Sequence, residues 1–215
     1  LFPLNCLYQK SFSIIILLAM SVFKNYLLQK TSITEDEYSK ITENLITRKV
    51  SKGEILLRQD EICSEVYFVQ SGLLRSYTID HAGKEHIIQF SPEEWWIGDR
   101  NSFYFNEPAL FFIDCIEDSE LMVLDHPFFD AANLIPSFSD FNTKVLHNHI
   151  RTLQIRLNML VAATAEERYL DFIERYPNLT LRVPQWMIAS YLGITPESLS
   201  RIRKELARKN FKPHS

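Results

Sequence analysis

Between Thr195 and Arg208 the chain reads TPESLSRIRKELAR, and its charged residues recur at helical spacing. Glu197 and Arg201 are four positions apart, so on a helix they share one face, a turn from each other. A guanidinium there can donate two parallel hydrogen bonds to the O6 and N7 of a guanine, and a carboxylate one turn earlier can accept from a cytosine amino group. Thr195, Ser198 and Ser200 add hydroxyls to the same end, while Arg203, Lys204 and Arg208 are spaced to meet phosphate oxygens. Leu199, Ile202 and Leu206 form the opposite, apolar stripe. The chemistry on offer is recognition of double-stranded DNA. A solvated face on a structural helical hairpin would carry the same pattern, so the flanking elements have to discriminate.

Those elements are well signalled. Pro184 suits the first position of a helix, in which Ile188 and Leu192 face a core and Ala189 permits close approach. Gly193 supplies a left-handed turn residue, Thr195 caps, and Pro196 opens the next helix. This is the layout of a helix-turn-helix whose second helix turns its N-terminal half outward. Charge is distributed accordingly: residues 1–175 hold 16 Lys and Arg against 25 Asp and Glu, whereas residues 176–215 hold 7 against 2. An acidic body with a basic end fits a phosphate contact confined to the end.

Upstream, Leu146, Ile150, Leu153, Leu157 and Leu160 step by alternating fours and threes, the seam of a two-stranded coiled coil. Arg151, Gln154, Arg156 and Asn158 fill the intervening positions. The stripe predicts a homodimer, with Phe138, Phe141 and Val145 packing back onto the chain. Thr164 and Glu167 form a capping box, so the long helix breaks after Val161-Ala162-Ala163 and restarts as one that ends before Pro177. The segment NLTLRV reads as a polar, β-branched connector. Thr34 and Glu37 form another capping box, heading a helix with Tyr38, Ile41 and Leu45 on one stripe. From Val50 the period becomes two, and short apolar runs alternate with turns at Lys52-Gly53, Ser71-Gly72, Ala82-Gly83 and Ser91-Pro92 as far as about Asp125. Such spacing predicts a small jelly roll.

Several chemistries are disfavoured. Cys6, Cys63 and Cys115 are odd in number and widely separated, which argues against a disulfide framework, a zinc knuckle or an iron–sulfur ligand set and suits a reducing cytoplasm. The apolar run Ile14–Met20 is too short to span a bilayer, and residues 1–19 read as an extension outside the working fold. No P-loop, dinucleotide fingerprint or metalloprotease motif is present, so no catalytic residues and no metal ligands are assigned. His81, His86, His126, His147, His149 and His214 read as surface or packing residues. His147 and His149 are two apart on a helix and point to different faces. A metal-dependent cupin-like enzyme is the competing class for a jelly roll; it needs clustered histidines, and the β region offers only His81 and His86, with Glu85 beside the second.

A jelly roll, a long dimerising helix and then IASYLGITPESLSRIRKEL resembles the Crp/Fnr transcription regulators over roughly Met20 to Lys209. The resemblance implies a cyclic-nucleotide-binding-like sensor domain and base reading by Glu197, Ser198 and Arg201. Pro196 stands where several relatives carry a further contacting Arg, and KNFKPHS is short for the β-wing of many relatives. Nucleotide-binding relatives hold the ribose with a Gly-Glu pair and the phosphate with an Arg followed by Ser or Thr. Here the corresponding stretch is WWIGDRNSFYFNEPALFF. Gly98-Asp99 approximates the first pair, but Glu107-Pro108 falls at the second, placing a carboxylate where an anion should sit and removing an amide donor. Cyclic AMP in the usual pose is disfavoured, with Arg100 and Arg75 as substitute phosphate partners and Phe103, Tyr104, Phe105, Phe111 and Phe112 as filling or lining for the pocket.

The sequence thus predicts an α+β chain: an N-terminal β jelly roll (double-stranded β-helix), a long dimerisation helix and a C-terminal winged-helix-like helix-turn-helix domain with a reduced or absent wing. The linear division is residues 1–19 as extension, 20–136 as sensor domain, 137–163 as dimerisation helix and 164–215 as DNA-binding domain. Expected partners are double-stranded DNA, a second copy, RNA polymerase and a small-molecule effector of unknown identity, with no cofactor and no membrane. A DNA-binding dimer without a ligand switch is the other alternative.

Overall fold

The computed structural model describes residues 22–210. The expectations for residues 1–19 and for a wing after Asn210 fall, wholly or largely, outside the described residues. Packing divides the described chain into two units, one of residues 22–76 and 90–145 and the other of residues 77–89 and 146–210.

The sheet structure consists of short strands, which lie in the first unit except at residues 77–79 and 85–89. These are β1 (Ile46–Val50), β2 (Ile55–Leu57), β3 (Glu65–Ser71), β4 (Leu74–Ile79), β5 (Glu85–Ser91), β6 (Trp96–Ile97), β7 (Phe112–Cys115) and β8 (Ser119–Asp125). They form two four-stranded sheets of order β1-β8-β3-β6 and β2-β7-β4-β5. The pairs β1–β8, β3–β8, β3–β6 and β2–β7 are antiparallel. Val66 to Val69 of β3 are all buried, which explains a continuous apolar run in place of strict alternation: both faces of that sheet are covered. The outer cover is aromatic. Phe68 lies 5.0 Å from Phe23 and 4.9 Å from Tyr26, ring centre to ring centre, both on a helix over residues 22–30 (α1). Phe128 and Phe129 of α4 (His126–Ala132) and Phe138 and Phe141 of α5 (Pro136–Ala162) complete the layer. At the turn before β4, Gly72 has φ +95°, and a Cβ there would collide with Ser119, so only glycine fits.

Helix α2 (Glu35–Thr42) starts at the expected capping box, with the Glu37 N–H donating to Thr34 Oγ1 at 3.3 Å and the Thr34 N–H donating to Glu37 Oε2 at 2.8 Å. Tyr38 and Ile41 are buried as predicted, whereas Leu45 follows the helix and is half-buried. Strand structure begins at Ile46, earlier than the change of period at Val50. β6, α4 and the one-and-a-half-turn helix α3 (Arg100–Phe105) were not anticipated, because elements of two to seven residues are too short to show a period.

The second unit carries α6 (Ala165–Arg175), α7 (Leu179–Arg182), α8 (Gln185–Leu192) and α9 (Pro196–Asn210), with the later turns of α5 and the tip of the β4–β5 hairpin. The Thr164–Glu167 capping box opens α6 as expected, with the Thr164 N–H donating to Glu167 Oε2 at 2.7 Å. The connector NLTLRV is not extended: Leu179–Arg182 makes one helical turn that buries Leu179. Pro184 is the N-cap of α8 rather than its first residue. Tyr169, Phe172, Tyr176, Ile188, Ala189, Leu192, Leu199 and Ile202 form the core of these helices.

Candidate nucleic-acid interface and sensor cassette

Gly193 ends α8 in the left-handed conformation at φ 66°, with the Ile194 N–H donating to the Ala189 carbonyl at 3.0 Å. Thr195 then caps α9 by accepting from the Ser198 N–H at 3.2 Å. With Leu199 and Ile202 buried inward, Pro196, Glu197, Ser200, Arg201, Lys204, Glu205 and Arg208 line one shallow outward face. Glu197, Arg201, Lys204 and Arg208 are exposed, Ser198, Ser200 and Arg203 half-buried. The Glu197 carboxyl is held below the ordinary carboxylate range because it accepts from its own backbone N–H and from the Thr195 hydroxyl. It is therefore an ionised acceptor at neutral pH, one turn from the Arg201 fork. Lys209, beyond that face, pairs with Glu166 at 2.6 Å and ties the end of α9 to the first turn of α6.

The seam residues Leu146, Ile150, Leu153, Leu157 and Leu160 are 37%, 43%, 47%, 64% and 41% exposed, and α5 buries only Phe138 and Phe141. An apolar face is thus open on the second half of α5.

The cassette stretch is engaged with itself. Asp99 is buried and caps α3: its Oδ1 accepts from the Ser102 N–H at 3.0 Å and its Oδ2 from the Leu110 N–H at 2.7 Å. Ser102 in turn accepts from the Cys63 N–H at 2.8 Å. Gly98 allows this close packing, since a Cβ there would lie 3.0 Å from Val66 Cγ2. Glu107 accepts from Asn101 Nδ2 at 2.9 Å, Pro108 is exposed beside it, and Arg100 lies 5.2 Å over the Tyr104 ring. Arg75 and Asp114, on β4 and β7, form a buried bidentate pair at 2.7 and 2.8 Å. Arg75 thus holds a full counter-charge, and both Asp99 oxygens hold backbone partners. Phe103 fills rather than lines: it is buried and stacked on His126 at 3.9 Å. Tyr104 and Phe105 are exposed.

Among the described residues, no three His, Cys, Asp or Glu side chains gather as metal ligands. His86 is hydrogen-bonded to Asp80 at 2.7 Å, and that contact holds the Asp80 carboxyl down at about 2. Cys63 and Cys115 are buried; burial pushes the Cys63 thiol up and the Cys115 thiol to about 12, so neither is a ready thiolate. No helix of the described residues is long and apolar enough to cross a membrane.

Residues 47–132 match the cyclic nucleotide-binding domain family. The anaerobic regulatory protein of Haemophilus influenzae is 27% identical over 187 residues, covering 80% of this chain and 71% of that protein. The fumarate and nitrate reduction regulatory protein of Escherichia coli is also 27% identical over 187 residues, covering 80% of this chain and 73% of its own. Over most of its length the chain is thus similar to these two regulatory proteins. The solved structure of FixK2 from Bradyrhizobium japonicum shares the fold of this chain, with a TM-score of 0.67 at 20% identity over 80% of this chain and 88% of that one.

Two residues whose side chains bridge separate elements of the second unit escaped the sequence reading. Arg156 counted there only as a polar spacer in the seam, and Ser190 carried no signal at all, because their partners are separated from them by 35 to 105 positions or supply only backbone atoms.

Proposed function

We propose that this chain is a homodimeric transcription regulator of the Crp/Fnr type that reads an inverted repeat in double-stranded DNA. The observation that carries the reading is the outward face of α9, where Glu197, Arg201, Lys204 and Arg208 stand exposed on a helix seated by Leu199 and Ile202. Arg201 and Glu197 read base edges, Ser198, Ser200 and Thr195 support them, and Arg203, Lys204 and Arg208 meet phosphates. The open stripe Leu146, Ile150, Leu153, Leu157 and Leu160 supports pairing with a second copy, and regulators of this family act as DNA-binding homodimers. A two-fold dimer sets its recognition helices in successive major grooves, about 34 Å apart. Activation of transcription would add a contact with RNA polymerase, and the two buried free thiols suit a reducing cytoplasm.

A second reading, a dimer whose DNA binding needs no ligand, is favoured by the self-satisfied cassette, in which Asp99, Glu107 and Arg75 each already hold partners. Sedimentation of the chain with duplex across a salt series tests the main reading. The expected result is a dimer binding one duplex, with affinity falling steeply as salt rises; a monomer indifferent to every duplex refutes it.

A further inference from the structure

We propose that Arg156 and Ser190 latch the first helix of the helix-turn-helix to the edge of strand β5, and that this latch is a positioning device for the recognition helix. The proposal rests on the reading of α9 as that helix.

Strand β5 lies at the edge of its sheet, where N–H and C=O groups face away from any neighbouring strand. Side chains take the place of a missing partner strand. The Ile87 N–H donates to Ser190 Oγ at 3.0 Å, and the same hydroxyl donates to the Glu85 carbonyl at 3.1 Å. Arg156 of α5 reaches the same edge. Its Nη1 donates to the Ile88 carbonyl, and its Nη2 to the Ile87 carbonyl at 3.1 Å and to the Tyr191 carbonyl of α8 at 3.2 Å. The guanidinium lies 4.0 Å over the Tyr191 ring, which is itself packed between Phe172 at 5.6 Å and Tyr176 at 6.0 Å. One cation therefore joins α5, β5 and α8.

No ion pair to Arg156 occurs among the described residues, and its Nε is buried without a hydrogen-bond partner. Burial lowers its pKa, and the groups in contact with the charge are backbone carbonyls and the Tyr191 ring face. Such a site is stable only while all its carbonyls are in place, which makes the junction closed or open rather than gradually deformable. Glu197, Arg201 and Lys204 are exposed while it is closed, so it does not mask the reading face. Its effect is to fix α8 and α9 against α5 across the helix break at Ala163–Thr164. In a dimer paired along α5, that fixes the separation of the two recognition helices.

The test uses the full chain with Arg156→Met, Ser190→Ala and Arg201→Ala. Amide exchange of Ile87 in the free protein should speed up about fivefold or more in Ser190→Ala, which removes the acceptor of that amide, and in Arg156→Met, which opens the latch around it, and not in Arg201→Ala. Affinity for an inverted repeat at its preferred spacing should fall on the order of tenfold in Arg156→Met. The penalty for moving the half-sites apart by a base pair should shrink, and the salt slope should stay at the wild-type value. Unchanged Ile87 exchange in both variants overturns the latch. A salt slope reduced by about one phosphate in Arg156→Met overturns the positioning role, because Arg156 would then touch DNA. A wild-type chain that binds no duplex overturns the DNA reading and the positioning role with it, while Ile87 exchange still decides whether the latch exists. Ser190→Ala, which deletes one half-buried hydroxyl, keeps the test available should Arg156→Met fold poorly.

Discussion

The cassette around Asp99 and the face of α9 hold similar side chains in opposite states. In the cassette, the Asp99 carboxylate and the Ser102 hydroxyl close on backbone amides and Glu107 on the Asn101 side chain, while Arg75 on β4 closes on Asp114. On α9, Glu197, Arg201, Lys204 and Arg208 have apolar residues holding their helix in place from below and no ion pair with each other. Charge type is the same in both places; what differs is whether the surrounding fold satisfies the group or presents it. A buried polar group must be paired to be tolerated, whereas an exposed one on a rigid helix remains available to a ligand.

The contrast can be broken most forcefully at the buried pair. Asp114→Ala should destabilise the fold by about 3 to 5 kcal/mol by stranding the Arg75 guanidinium, whereas replacing both with apolar residues of similar volume should recover most of the loss. Denaturant unfolding of the two variants measures this. On α9, Arg201→Ala should leave stability nearly unchanged but cost about 1 to 3 kcal/mol per half-site and relax the choice at one base pair. Lys204→Ala should weaken all sequences alike and reduce the salt slope by about one. Competition binding against single-base variants of the site separates the two.

How much of this was legible follows the same division. The helix-turn-helix could be read because its signals are local: Gly193 for the turn, Thr195 and Pro196 for the cap and start, and a 3.6-residue stripe of Leu199 and Ile202. The capping boxes at Thr34 and Thr164 were legible for that reason too. The cassette was not, because its outcome depends on distant partners. Nothing near Arg75 announces Asp114, 39 positions on, and nothing near Asp99 shows that its second oxygen takes the Leu110 amide. Asp99 caps α3 through the Ser102 amide, and a lone Asp ahead of a six-residue helix is a weak local signal beside the likeness of Gly98-Asp99 to a ribose-holding pair. Leu160 shows the intermediate case. It belongs to the seam by spacing, yet it also approaches the helix turn closely enough that a Cβ on Gly193 would lie 3.4 Å from its Cδ2.

Two smaller effects sharpen the comparison. Millimolar cyclic AMP should shift neither the unfolding midpoint nor the affinity for DNA, since a ligand stabilises only by binding the folded state, and the cassette groups are already engaged. Calorimetric melting with and without the nucleotide checks it. The lowered pKa of Glu197 favours its charged form in the fold, a contribution present above the unfolded carboxylate value and lost as pH falls through the folded one. Discrimination at the base pair facing Glu197 should therefore be level from neutral pH down to about pH 5, and Glu197→Gln should alter it at every pH. Binding of paired duplexes across that range measures the difference.

The account depends above all on two α9 helices reading DNA together, and selection of bound duplexes from a random pool tests that most directly. The predicted outcome is an enriched sequence with two-fold symmetry, its half-sites centred about one helical turn apart, with a G·C pair in each that loses enrichment when Arg201→Ala protein is used. An enriched sequence without symmetry, or a pool that emerges unchanged, would contradict it.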